Sequence, residues 1–530
     1  MGGTIYSPAS PFATAMLVDD GRVAWVGEDS AAHAYRDSAV AVVDLQGRLV
    51  TPGFVDAHVH ATSTGLALTG LDLSGTSSLA EALDLVSARA RRLRGGVILG
   101  HGWDETRWPE GRAPSRSELD RATWGSVAYL SRIDVHSALA SSALLAMVPG
   151  IEALPGYSTD GPVSREAHHS VRETALASIP AAQRQEAQRA MRDHAARLGI
   201  VALHEMAGPT ISGEHDLVEV LALARHEPGA LVVGYWGQLA EDGGIERARE
   251  LGALGAAGDL FADGAIGSRT ACLCDPYADD PSTSGAGYLD ASRVAEHVVA
   301  ATEAGMQAGF HVIGDEATRS VIAGFVDAAG RVGVESVRSA GHRLEHAEML
   351  DDDAIAVMAR LGIVASMQPM FDGLWGGPGG MYERRLGSRR ANSMNRIADL
   401  IGAGVLVAFG SDAPVTPLGP WAAVAAAVHH SVPQQRVSAR AAFSAHTRAG
   451  WRSAGEPGTG VLSPGAPAHY VVWTVDEVIV QAPDERVAAW STDPRSGTPG
   501  LPVLGGDAPL PQCERTVVAG RVVHDSGVLA

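Results

Sequence analysis

A chain of 530 residues with 46% hydrophobic and 19% charged residues can bury a large core, and its length implies two to four domains. A net charge of −20, with no basic cluster beyond Arg384-Arg385 and Arg389-Arg390, argues against a nucleic-acid partner, and no apolar run approaches the ~18 residues of a membrane span. The three cysteines (Cys272, Cys274, Cys513) make no disulfide framework and no secretory leader is recognisable, so the expected setting is a reducing cytoplasm. All 41 basic residues are arginine. The missing lysine excludes a Schiff base, a lysine general base and a carboxylated-lysine metal bridge.

Residues 1–50 read as short strands with turns: Ala15-Met-Leu-Val-Asp19, Arg22-Val-Ala-Trp-Val-Gly27 and Val42-Val-Asp-Leu45. The far end has the same character, in Tyr470-Val-Val-Trp-Thr474, Val478-Ile-Val480 and Arg515 to His524. The two termini, 1–50 and 456–530, are therefore expected to form one β-sandwich. From 51 to 455, short apolar strands alternate with Ala-, Arg- and Glu-rich helices, the pattern of an α/β protein whose parallel strands close a (β/α)8 TIM-like barrel. The strands are placed at 54–60, 200–206, 230–236, 258–263, 307–312, 342–346, 362–368 and 405–411. Residues 61–199 are too long for one connecting helix. They carry strands near 97–103 and 126–131 and a helix near 180–198, and so read as an inserted subdomain.

The first barrel strand, within Thr51-Pro-Gly-Phe-Val-Asp-Ala-His-Val-His60, ends in two histidines. Residues i and i+2 of a strand share a face, so His58 and His60 can present two imidazoles to one point. His311, His346 and Asp412 lie at the ends of later strands, where a barrel delivers its catalytic residues. Imidazoles with a carboxylate suit zinc, iron or manganese. His204, at the end of the second strand, is a further candidate for that face, whereas His429-His430 read as structural.

These stretches resemble the amidohydrolase superfamily of metal-dependent hydrolases, in the group of N-substituted formamide deformylases and exoenzyme-regulator-like proteins. The matching segments are 51–60, Gly102-Trp-Asp104, Phe261 to Thr270, His311 to Ala317, Leu344-Glu-His346, Ser366-Met-Gln-Pro369 and Gly410 to Val415. The resemblance implies metal ligation by His58, His60, His311, His346 and Asp412. It also implies that Asp412 takes a proton from the attacking water, in hydrolysis of an amide, N-acyl or N-formyl C–N bond of a small molecule. A hydrolytic deaminase of a ring amine would use nearly the same ligands, and a metal-free binding protein would keep the fold. Deaminases of the superfamily carry a glutamate three residues after the fifth-strand histidine, where this chain has Gly314.

Relatives often carry a bridging carboxylated lysine where this chain has Asp259. An aspartate is several bonds shorter than a carboxylated lysine and is not expected to reach that point without backbone movement, so one ion is expected rather than two, held by His58, His60, His311 and Asp412, with His346 a ligand or a hydrogen-bond donor to substrate. Cys272, Cys274, Glu205 and Asp263 are less favoured bridges, and Asp259 could equally be a helix cap or salt-bridge residue. Trp103 and His136 in the insert, and Arg269 in Gly267-Ser-Arg-Thr270, are candidates for substrate contact beside their bland readings as packed or loop-stabilising residues. Residues 371–396, rich in Gly and Arg, read as a lid. A homodimer is compatible with such a chain, and the start at Gly2-Gly-Thr-Ile-Tyr6 leaves open a truncated N-terminus.

Overall fold

The computed structural model describes residues 1–39, 41–93, 95–133, 137–479, 499–505 and 508–529. The chain gathers into two compact units: Met1–Ala61 with Arg192–Ala530, and Thr62–Met191. Among the described residues, no helix is long and apolar enough to cross a membrane.

In the first unit, eight parallel strands form the barrel: β1 (Phe54–Val59), β2 (Ile200–Ala207), β3 (Leu231–Trp236), β4 (Gly255–Ala256), β5 (Gln307–Val312), β6 (Arg343–His346), β7 (Val364–Met367) and β8 (Val407–Phe409). They lie side by side in sequence order from β1 to β8. Every residue of β1, β2, β5 and β6 is buried, as expected where helices cover one face and barrel packing the other. The helices between them start and stop on local signals. Asp290 and Asp351 cap Ala291–Glu303 and Asp352–Leu361 by accepting from the backbone N–H groups of Arg293 and Ala354, and Gly362 ends the latter in the left-handed region.

Two joins bear on the site. The seam between β1 and β8 is short: Val59 bridges Ala413, with Asp412 N donating to His58 O and His60 N to Ala413 O. Asp56 reinforces it by accepting from the N–H groups of His58 and Ser411. The second join departs from expectation. The strand placed at 258–263 is the two-residue β4, further toward the N-terminus. Ala256 pairs with Ala308 and Phe261 next meets His311, so five steps on one side match three on the other. The two extra residues form a bulge. Gly258 has φ +96°, and Leu260 N donates to Gly258 O, making a tight turn with Asp259 at its apex.

The terminal strands Thr4–Ile5, Leu49–Pro52, Tyr470–Thr474, Gln512–Val518 and Arg521–Asp525 form one sheet, beside the hairpin Ala15–Asp19/Arg22–Gly27 and the pair Val478–Ile479/Leu501–Pro502. Val42 to Leu45, expected as a strand, is irregular. Ile5, Val23, Val50, Leu462 and Val472 fill the core here, and the Trp473 indole donates to Thr51 Oγ1 at 2.8 Å.

The second unit has its own five-stranded sheet, ordered Val163–Ser164, Ser137–Ala140, Ala128–Arg132, Ile98–Trp103 and Leu71–Asp72. The helix Ala181–Arg197 falls where one is expected, near 180–198.

Candidate metal centre

The barrel strands bring all five expected ligands together. The His58 and His60 rings lie 5.4 Å apart, His58 and His346 4.9 Å, and His311 and His346 4.5 Å. Asp412 Oδ1 is 3.1 Å from His60 Nε2 and 3.4 Å from His58 Nε2. His346 (φ +68°) and Asp412 (φ +55°) occupy the left-handed region, costly for residues with a Cβ, and such strain collects where the fold must aim a side chain.

Each imidazole has one nitrogen anchored and the other turned inward. His58 Nδ1 donates to Glu345 Oε2 at 2.8 Å, His60 Nδ1 to Met206 O at 3.1 Å and His311 Nε2 to Gly264 O at 3.1 Å. His346 Nδ1 pairs with Gln368 Oε1 at 2.8 Å. Carbonyl and carboxylate oxygens only accept, so each anchored nitrogen carries a proton, and His58 Nε2, His60 Nε2 and His311 Nδ1 are the nitrogens turned toward the cluster. Buried His58 Nε2, His311 Nδ1 and Asp259 Oδ1 have no hydrogen-bond partner. These nitrogens face carboxylate oxygens across 3.1–3.5 Å, a contact that requires a cation between them, either a ring proton or a metal ion. The donor set therefore fits a divalent ion, and anchoring of the outer nitrogens is the usual support of metal-bound histidines.

Asp259, treated from the sequence as too short, sits at the middle. Its Oδ2 is 3.1 Å from His60 Nε2, and its Oδ1 is 3.5 Å from His58 Nε2, 3.5 Å from His311 Nδ1 and 3.6 Å from His346 Nε2. The reach comes from the bulge, which carries the backbone inward. Gly237 makes room for it, since a Cβ there would stand 3.0 Å from the Asp259 carbonyl.

The electrostatics agree with a cation site. Burial opposes charge on His60, but Asp259 and Asp412 outweigh it and push its pKa up to about 10. Burial likewise opposes charge on His58, and the same two carboxylates raise it well above the ordinary histidine value. Burial works against ionisation of Asp412 and Asp259, yet His58 and the neighbouring imidazoles hold both carboxyls far below the ordinary range. Two buried anions thus demand positive charge from their surroundings. Glu345, the anchor of His58, is itself held by Arg343, whose Nη2 lies 3.0 Å from Oε2 and also donates to Ala57 O; the guanidinium rests over the Tyr235 ring at 4.5 Å.

The remaining candidates fall elsewhere. Glu205 accepts from Ala61 N at 2.6 Å, and Asp263 accepts from the N–H groups of Cys272, Ile313 and Gly314. Cys274 Sγ contacts Glu316, and among the described residues neither cysteine belongs to the groups of converging metal-capable side chains. His204 faces Arg343 and Tyr235, and burial and Arg343 hold it neutral. His429 Nε2 donates to Leu504 O, and His430 Nδ1 accepts from Val432 N. Arg269 is engaged as a fork by Asp279, which Arg385 also contacts, so the guanidinium proposed for substrate is already occupied in holding its own loop. Trp103 is 1% exposed in the core of the second unit, its indole donating to Leu130 O at 2.8 Å. That is the packed reading, and it leaves no ring face for a ligand. His136 lies outside the described residues. Residues 371–396 form short helices packed into a cluster of Ile313, Met349, Phe371, Tyr382, Leu386 and Met394, and Phe371 stacks on His346 at 5.9 Å.

The sequence profile of the amidohydrolase family matches residues 41–524. The chain is 28% identical over 510 residues to the protein LONG AFTER FAR-RED 3 of Arabidopsis thaliana, covering 89% of this chain and 86% of that one. It is 26% identical over 446 residues to the N-substituted formamide deformylase of Arthrobacter pascens, covering 78% and 80%. Among solved structures, an uncharacterized metal-dependent hydrolase from Pyrococcus furiosus superposes with a TM-score of 0.74 at 26% identity, over 89% of this chain and 97% of that one.

Proposed function

Because the chain belongs to the amidohydrolase family, we propose that it is a metal-dependent hydrolase that uses activated water to cleave a C–N bond (amide, N-acyl or N-formyl) of a small molecule. The observation that carries this is the set of inward ring nitrogens on His58, His60 and His311, each ring held by an acceptor on its opposite side, converging with Asp412 and Asp259. The deformylase among the relatives, whose name specifies a formamide, supports the choice of bond. His58, His60, His311, His346 and Asp412 would hold the ion, with zinc favoured by the nitrogen-rich set and iron or manganese as alternatives. A bound divalent ion lowers the pKa of water toward about 7 and polarises a carbonyl.

The protein's residues do the rest. The Asp412 carboxylate, which a bound cation would keep ionised, accepts the proton of the attacking water and delivers it to the departing nitrogen. Glu345, Met206, Gly264 and Gln368 hold the rings so that no rotamer is lost on binding. Three free thiols accord with a cytoplasmic setting, in which the partner is the small-molecule substrate and the chain acts alone or as a homodimer.

The test is elemental analysis of the purified chain with an ammonia- and acid-release screen over N-formyl and N-acyl compounds, before and after chelation. Stoichiometric metal, with turnover that chelation abolishes and re-addition restores, is expected. A chain that takes up no divalent metal and turns over nothing would sink the hydrolase reading, and ammonia release from a ring amine alone would assign a deaminase.

A further inference from the structure

We infer that Asp259 is an unmodified bridging carboxylate joining two metal ions, and that this centre loads without carbon dioxide. The inference rests on the metal-hydrolase reading above and deepens it. The cluster offers four imidazole nitrogens and, from Asp259 and Asp412, three carboxylate oxygens, all converging. One tetrahedral zinc accepts four donors. The donors are arranged around Asp259: Oδ2 faces His60, Oδ1 faces His311 and His346, and His58 stands between the two groups, 3.5 Å from Asp259 Oδ1 and 3.4 Å from Asp412 Oδ1. A carboxylate with its oxygens turned to different ligand groups is the arrangement that holds two ions about 3.5–4 Å apart.

A second, independent feature is the backbone. The bulge after β4, the φ +96° of Gly258 and the Cβ-free Gly237 together bring the chain itself toward the axis, so a two-bond side chain spans the distance. No lysine exists to be carboxylated, and Asp259 needs no modification to carry its charge.

The test uses the full chain, stripped with chelator and reloaded with Zn²⁺ in carbon-dioxide-depleted buffer or in bicarbonate buffer. Metal per chain is then measured by elemental analysis. In parallel, Mn²⁺-loaded samples are examined by electron paramagnetic resonance. Wild type is expected to hold about two ions in both buffers and to give an exchange-coupled manganese signal. The near-isosteric Asp259→Asn should hold about one, with the coupling gone. Gly237→Ala, which leaves every ligand in place and crowds only the turn, should weaken the coupling in the same direction.

One ion per wild-type chain at saturating Zn²⁺, with hydrolysis intact, would overturn the bridge and leave the hydrolase standing. A ratio that reaches two only with bicarbonate would overturn it too, by assigning the bridge to an exogenous carboxylate. No metal in either buffer would overturn both readings.

Discussion

Two kinds of buried histidine occupy the same barrel. His297 and His342, both buried, have both ring nitrogens engaged: His297 accepts from Ala240 N and donates to Ala256 O, and His342 accepts from Ala308 N and meets Thr302 Oγ1. Burial holds them neutral, at about 4 and about 3. His58 and His311 are as enclosed, but one nitrogen of each faces a carboxylate with nothing between. Burial alone therefore does not mark a functional imidazole. The second nitrogen does: where it closes on backbone or hydroxyl the ring is packing, and where it is left bare toward an anion the ring awaits a cation.

Mutations can separate the two classes, and the widest gap is expected at the carboxylate that the bare nitrogens face. Asp412→Asn should lower kcat by about 10²–10⁴-fold, read by steady-state kinetics at saturating metal on any substrate the screen yields. An unchanged kcat would remove Asp412 as the base. Next, Glu345→Gln weakens the anchor of His58 and should reduce metal affinity by about 10–100-fold in a chelator competition. Unaltered affinity would mean that the ring needs no outer support.

The converse variant, His342→Ala, orphans Ala308 N and should cost about 1–3 kcal/mol of stability while turnover per folded chain stays at the wild-type level. Loss of turnover there would blur the distinction. The smallest effect at neutral pH lies in His297. Its ordinary value is 6.5 and burial lowers it to about 4, so between these values the unfolded chain binds a proton that the folded chain refuses. Its neutral-state stability is complete above pH 6.5 and falls as pH drops toward 4, by up to about 3 kcal/mol. Denaturant unfolding of His297→Gln should show a correspondingly shallower acid loss than wild type, and parallel curves would refute the assignment.

Much of this was legible in the sequence because barrel strands place chemistry at their ends. His58, His60, His311, His346 and Asp412 each stand at or just past the end of a barrel strand, and the structure gathers all of them. Asp259 was discounted because its side chain is several bonds shorter than a carboxylated lysine, and the bulge nevertheless brings its carboxylate within 3.1–3.6 Å of four imidazole nitrogens. The signal was present in the Gly258-Asp259 pair, since a glycine inside a strand pattern marks a bend or close approach. Glu345 and Gln368 stood inside recognised motifs, but their roles depend on which atoms they face across neighbouring strands, and one-dimensional spacing does not carry that. Trp103 and Arg269 illustrate the reverse: side chains with binding chemistry that the fold spends on packing and on a loop.

The seam between β1 and β8 gains a further meaning from its position. A seam closed by one bridge has few bonds to break on opening, and the backbone groups that close it belong to His58, His60, Asp412 and Ala413. An ion held by these side chains is thus also a clasp on the cylinder, and by mass action an ion at a thousand times its dissociation constant strengthens the closed state by about 4 kcal/mol. Amide hydrogen exchange at residues 58–60 and 412–413 would then follow free metal concentration, so that the same ion sets both reactivity and how long the barrel stays shut.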